Sequence, residues 1–155
     1  FFSCRDKERT MEIMKDSRIG AFGTIALILD ILLKYILISN LGGNIPIILA
    51  LSYGNSRLVA AYLMSSKEVS RKGGLGDMFR KSNPKIYALF GGLAFMGILI
   101  LINPMYLIPL LATFIMGQIM TKITYKKIDG FTGDVYGATI EMGEIISLII
   151  FLGGI

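Results

Sequence analysis

Residues 86–120 read IYALFGGLAFMGILILINPMYLIPLLATFIMGQIM. These 35 consecutive residues carry no charge, and the break near their centre is Asn103-Pro104. A membrane-spanning helix needs about 20 largely apolar residues, with roughly 17 to 25 tolerated. The stretch is therefore too long for one span and right for two short ones, Ile86–Ile102 and Met105–Met120. Proline is at home in the first turn of a helix, where its missing N–H costs nothing, so Pro104 should start the second. Outward from this hairpin, three more apolar runs appear: Ile19–Ser39, Ile45–Met64 and Val135–Ile155.

The rest of the composition agrees. Of 155 residues, 54% are hydrophobic and 17% charged, with a mean hydropathy of +0.65. A soluble domain carries roughly 25% charged residues. The hydrophobicity excludes disorder, and the single cysteine, Cys4, excludes a disulfide scaffold. With no histidine, ordinary zinc sites and Ser-His or Cys-His catalysis are excluded too. Cys4 has no histidine to activate it and reads as a bystander. The expected fold is an all-α polytopic membrane bundle of about five transmembrane helices, one membrane domain over residues 1–155. No run has the layout of a cleavable signal peptide. Because the chain opens on Phe1, a fragment of a longer protein is expected.

The basic residues divide by loop. Arg5, Lys7, Arg9, Lys15 and Arg18 precede the first span; Lys67, Arg71, Lys72, Arg80, Lys81 and Lys85 separate the second from the third. Lys122, Lys126 and Lys127 are expected in the loop between the fourth and fifth. The other two connections, Leu41-Gly42-Gly43 and Asn103-Pro104, carry none. Since cytoplasmic loops collect Lys and Arg, the three charged segments are expected in the cytoplasm and the C-terminus outside. The net charge of +5 then follows from topology and calls for no nucleic-acid partner. No fixed-period repeat or low-complexity linker divides the chain. The 18 glycines suit close approach of membrane helices and carry no chemistry by themselves.

Three segments hold polar groups that packing does not require. In Glu12-Ile-Met-Lys15-Asp16-Ser17-Arg18-Ile-Gly20, Lys15 and Arg18 can hold phosphate oxygens, and Asp16 can bind a metal or orient a base. The plain alternative is an interfacial amphipathic helix with Met11, Ile13 and Met14 toward lipid. In Arg71-Lys72-Gly73-Gly74-Leu75-Gly76-Asp77, glycines free backbone amides to approach an anion beside two cations. The Walker spacing is absent, so the alternative is a basic loop that anchors topology.

The third segment, Asp129-Gly130-Phe131-Thr132-Gly133-Asp134 through Gly137, Ala138, Glu141 and Glu144, is the strongest. On a helix, positions 134, 137, 141 and 144 share one face. Ionisable groups inside a membrane are expensive and usually face a cavity or a partner. Hard oxygen ligands suit Mg²⁺, especially with phosphate substrates. The alternative is a carboxylate set paired with Arg57 or Lys34 for structure or ion translocation. Arg57, mid-run in the second span, is expected to avoid lipid on the same logic. Asp30 and Lys34, four apart, are expected to pair along one helix face as a structural couple.

At these residues the sequence resembles the cobalamin synthase (adenosylcobinamide-GDP ribazoletransferase) family of membrane enzymes. The resemblance rests on Glu8-Arg9 through Gly20, on Arg71-Lys-Gly-Gly-Leu-Gly76, and on Gly130-Phe-Thr-Gly-Asp134 through Gly137-Ala138, Glu141 and Glu144, and runs over essentially the whole chain. It implies transfer of α-ribazole, or its 5′-phosphate, onto adenosylcobinamide-GDP, giving adenosylcobalamin or its phosphate and GMP, with Mg²⁺ as cofactor. By motif match it implies Asp16, Asp134 and Glu141 as catalytic, Asp134, Glu141 and Glu144 as metal carboxylates, and Lys15, Arg18, Arg57, Arg71, Gly74, Gly76 and Asp129 as substrate-binding. It also implies a bacterial or archaeal plasma membrane with the active face cytoplasmic, the lipid bilayer as a partner, and a homo-oligomer left open. The family carries an Asp-Gly-Leu-Ala-Asp-type motif ahead of the point matched by Phe1, so the fragment alone is expected to be inactive. Two other functions compete. A CDP-alcohol phosphotransferase would need a Gly-x-x-x-Asp-x-x-x-Asp pattern that is absent. A transporter would use Asp30, Lys34, Arg57, Glu141 and Glu144 as an ion path.

Overall fold

The computed structural model describes residues 6–16, 18–70, 77–78 and 84–155. Its described helices are α1 (Lys7–Lys15), α2 (Ala21–Ser39), α3 (Ile45–Ser66), α4 (Lys85–Ile102), α5 (Leu107–Ile128) and α6 (Gly133–Leu152), with a single 3₁₀ turn at Pro104–Tyr106 leading into α5. Five of these elements are long and apolar enough to span a membrane, with the 3₁₀ turn and α5 forming one span of 25 residues. The protein is a polytopic helical membrane protein, as its hydropathy indicates.

The centre of the bundle is α3, α5 and α6, whose mutual interfaces are the most extensive; α4 leans on α3 and α2 chiefly on α6. Small and hydroxylated residues make this centre. A Cβ on Gly143 would stand 2.9 Å from Thr113 Cγ2 and 3.0 Å from Ser56 Cβ, so α6 approaches both neighbours at glycine distance. Ser52, Asn55, Ser56, Thr113, Thr139 and Ser147 are buried there. Asn55 Nδ2 donates to Ser147 Oγ at 3.0 Å, and Thr113 and Thr139 donate back to Pro109 and Val135 carbonyls. In hydrocarbon, where apolar packing between helices gains little over lipid, close backbones and such bonds carry association. The outward faces stay apolar: Phe22 is 90% and Leu101 87% exposed, which in water would be an aggregation hazard.

Two sequence expectations change in detail. The fourth span was expected to stop near Met120, leaving Lys122, Lys126 and Lys127 in a loop. Instead α5 continues to Ile128, so these lysines ride on its last two turns and the true connection is residues 129–132. Thr124 and Ile128 are buried on that extension, which gives the overhang a packing reason to remain helical. The helix stops at Asp129, whose left-handed backbone (φ 56°) caps it. The second change is α1. It is the amphipathic helix the alternative reading describes, yet Met11 and Met14 pack on a protein cluster containing Val59, Ile128, Phe131 and Tyr136, and of the three only Ile13 is exposed.

Candidate active site

The site is built on the first half of α6. Thr132 caps the helix, its hydroxyl accepting from Val135 N at 3.4 Å, and Asp134 occupies the first turn, where a carboxylate suits the helix dipole. Ahead of the cap, Phe131 is fully buried and stacks on Tyr136 with centroids 4.7 Å apart. Its backbone pairs with residues 68–70: Phe131 N donates to Glu68 O at 2.9 Å and Ser70 N donates to Phe131 O at 2.8 Å. Gly130 (φ 153°) permits this, since a Cβ there would lie 2.9 Å from Glu68 O. Tyr125 Oη accepts from Glu68 N at 2.7 Å. The chain just before Arg71 is thus tied to the start of α6. Arg71, Gly74 and Gly76 themselves lie outside the described residues.

From that cap an exposed stripe runs down α6 through Asp134, Gly137, Ala138 and Glu141. Residues 21–29 of α2 are exposed throughout; α2 meets α6 farther along, from Lys34 onward, and Leu37, with Leu41 just past the helix end, is buried in the core. Glycine and alanine at 137 and 138 keep this face of α6 low, with open space around a Cβ built on Gly137.

The stripe ends on an ionic cluster. Lys34 of α2 donates to Glu144 Oε2 at 2.7 Å and to Glu141 Oε2, with Asp30 Oδ2 at 3.7 Å. Arg57 of α3 donates to the other Glu144 oxygen at 2.7 Å and to Tyr53 O at 3.2 Å, its guanidinium 5.4 Å from the Tyr53 ring centroid. Glu144 is buried and carries one cation on each oxygen. It lies eleven residues into α6, about 16 Å along the axis at 1.5 Å per residue. The pairing of the carboxylates with Lys34 and Arg57, which the sequence leaves as an alternative, is thus present. Lys34, expected to serve Asp30, has its shorter contacts on α6. A lysine inside an apolar span was itself the signal.

The other expected residues gather at the charged end. Asp129 accepts from Lys7 Nζ at 2.7 Å, tying α1 to the end of α5. Asp16 caps the C-terminus of α1 and pairs with Arg18 at 2.9 Å. That guanidinium, together with the Arg18 backbone N–H, holds the Asp16 carboxyl below the usual carboxylate range. Lys15 is exposed beside them.

The structure does not gather Asp134, Glu141 and Glu144 into one set, and no group of three potential metal-ligating side chains forms among the described residues. Asp134 stands seven residues before Glu141, about 10 Å along the helix. Lys34 and Arg57 already satisfy the glutamates. Asp134 makes no hydrogen bond or ion pair to another described residue. It fits Mg²⁺, which is commonly held through one or two carboxylates plus substrate phosphates.

Comparison with known proteins agrees with the sequence resemblance. The family model for cobalamin-5-phosphate synthase matches residues 1–152. An adenosylcobinamide-GDP ribazoletransferase of Clostridium botulinum (strain Langeland) is 44% identical over 98% of this chain and 62% of its own length. Proteins of the same name from Clostridium novyi and Shigella flexneri are 39% and 36% identical over 97% of this chain. The chain therefore spans about 62% of the length of the relatives it matches first. No solved structure matches it. With the family model spanning nearly every residue, the chain belongs to the cobalamin-5-phosphate synthase family.

Proposed function

We propose that this chain supplies the site of an adenosylcobinamide-GDP ribazoletransferase, acting in the last assembly of the cobalamin nucleotide loop. A ribosyl hydroxyl of α-ribazole, or of its 5′-phosphate, attacks the cobinamide-side phosphorus of adenosylcobinamide-GDP. The bond from that phosphorus to the bridging oxygen breaks, GMP leaves, and the hydroxyl proton passes to a carboxylate base. The observation that carries this reading is the exposed Asp134–Glu141 stripe of α6, which ends on the Lys34–Glu144–Arg57 cluster.

Each residue has a physical part. Arg57 is anchored on one side only, and its side chain is 59% exposed, so further N–H groups are left to hold a phosphate oxygen. Glu141, half exposed, shares Lys34 with Glu144 and can yield that cation to an incoming phosphate. Asp134 is the carboxylate that would hold Mg²⁺ together with substrate oxygens, and the bound ion would supply charge to offset the diphosphate and the departing GMP. Lys15 and Arg18, with Arg71 and the glycines that follow, are the outer phosphate contacts, and Asp16 keeps Arg18 in place. Asp129 orients the α1 end of the site through Lys7. The positive-inside rule puts this end of the bundle in the cytoplasm, where nucleotide substrates are.

The test is Mg²⁺-dependent cobalamin formation by membranes carrying this chain within a full-length relative. Asp134→Asn is expected to lower turnover at least 100-fold, the scale of losing a positioned electrostatic group. Full activity of that variant would overturn the metal role. Ion flux in proteoliposomes, independent of cobinamide and ribazole, would favour the transport reading instead.

A further inference from the structure

A cavity lies where α4 leans on α3. Between α3, α4 and α5 runs an apolar groove of about 780 Å³, walled by Leu58, Tyr62, Leu89, Leu93, Leu111 and Phe114. Along α4 it extends from Lys85 to Met96, eleven residues or about 16 Å. That length suits most of one membrane acyl chain. An unfilled groove there would forfeit dispersion contacts along its whole lining. The walls offer no charged group until the mouth, where Lys85 stands at the N-terminus of α4 and Ser65 and Ser66 also line the groove.

The mouth has the electrostatics of an anion site. The first turn of α4 has no side-chain cap and no acidic residue among the described residues, so none of these meets its backbone N–H groups or the positive end of the helix dipole. Lys85 makes no ion pair with another described residue. Membrane helices with cationic ends of this kind attract anionic lipid headgroups.

We propose that the groove is a lipid site holding one acyl chain of an anionic phospholipid, with its phosphate at the N-terminus of α4 beside Lys85. This stands independently of the reaction assigned to the α6 site.

This chain within a full-length relative, extracted in mild detergent and reconstituted in nanodiscs of phosphatidylcholine with phosphatidylglycerol, is delipidated stepwise and weighed by native mass spectrometry. Phosphatidylglycerol is expected to be retained about five-fold over phosphatidylcholine, the step one lysine near an anionic headgroup gives. Lys85→Gln is expected to erase the preference. Gly92→Phe is expected to remove the retained lipid whatever its headgroup. A Cβ on Gly92 meets only Leu58, at an ordinary 3.5 Å, and the larger side chain then fills the groove. If that variant does not fold, Ala88→Leu fills the same space. Equal retention of the two lipids by the wild type overturns the proposal, as does an undiminished lipid count in a folded groove-filling variant. A wild-type dimer that Gly92→Phe dissociates without changing lipid content also overturns it, making the groove an interface between copies.

Discussion

Glu144 and Asp129 each accept from a lysine at 2.7 Å, yet the two contacts differ in what they contribute. Glu144 is 5% exposed and compensates two cations inside the span. Removing one partner of a buried pair leaves an uncompensated charge and costs about 3–5 kcal/mol. Glu144→Gln should therefore lower stability by about that amount in urea or thermal unfolding in detergent. Lys34→Met should cost less, because Arg57 still compensates Glu144. Equal effects would mean that Glu144 is no more the hub than Lys34. The Lys7–Asp129 pair is exposed on both sides, and Lys7→Ala should change stability by less than about 1 kcal/mol in the same experiment. Asp16 and Arg18 lie outside the spans. Because the folded Asp16 pKa is depressed, its pairing is present above the ordinary carboxylate value and is lost as pH falls through the depressed one. Arg18→Gln should raise the Asp16 titration midpoint by NMR, and an unmoved midpoint would discount the pairing.

At the scale of helices, hydropathy finds where hydrocarbon begins and ends, and the polypeptide does not have to change conformation there. This is why all five spans were legible while the end of α5 was not: Lys122, Lys126 and Lys127 mark the edge of the membrane, and buried Thr124 and Ile128 continue the helix past it. For α1, the 3.6-residue period identifies an apolar face, but lipid and a cluster such as Phe131 and Tyr136 present the same apolar surface to Met11 and Met14. In the site, periodicity placed Asp134, Gly137, Glu141 and Glu144 on one side of α6. Which cations meet them depends on how α2 and α3 pack, and a single helix period carries no such information. Packing is also where α6 is most vulnerable. Gly143→Val puts methyl groups where Thr113 and Ser56 already stand, and is expected to cost about 1–3 kcal/mol by overpacking. An unchanged unfolding midpoint would mean the three helices are less closely set than described.

For the whole molecule, the alternation of charged and uncharged connections gives each span a direction that labelling can read. On a Cys4→Ser background, Gly42→Cys should react with an impermeant maleimide added to intact cells, and Lys127→Cys only after permeabilisation. The opposite pattern would invert the bundle and place the Asp134 end outside. The ionic cluster also bears on how the protein is made. Lys34 and Glu144 are 110 residues apart in sequence, so a ribosome releases α2 well before α6 exists. Through that interval the only carboxylate on α2 is Asp30, one turn away and 3.7 Å from the Lys34 amine in the finished bundle. Asp30 can therefore act as an interim counter-ion during biogenesis, letting a charged helix wait in the bilayer until its permanent partners are synthesised.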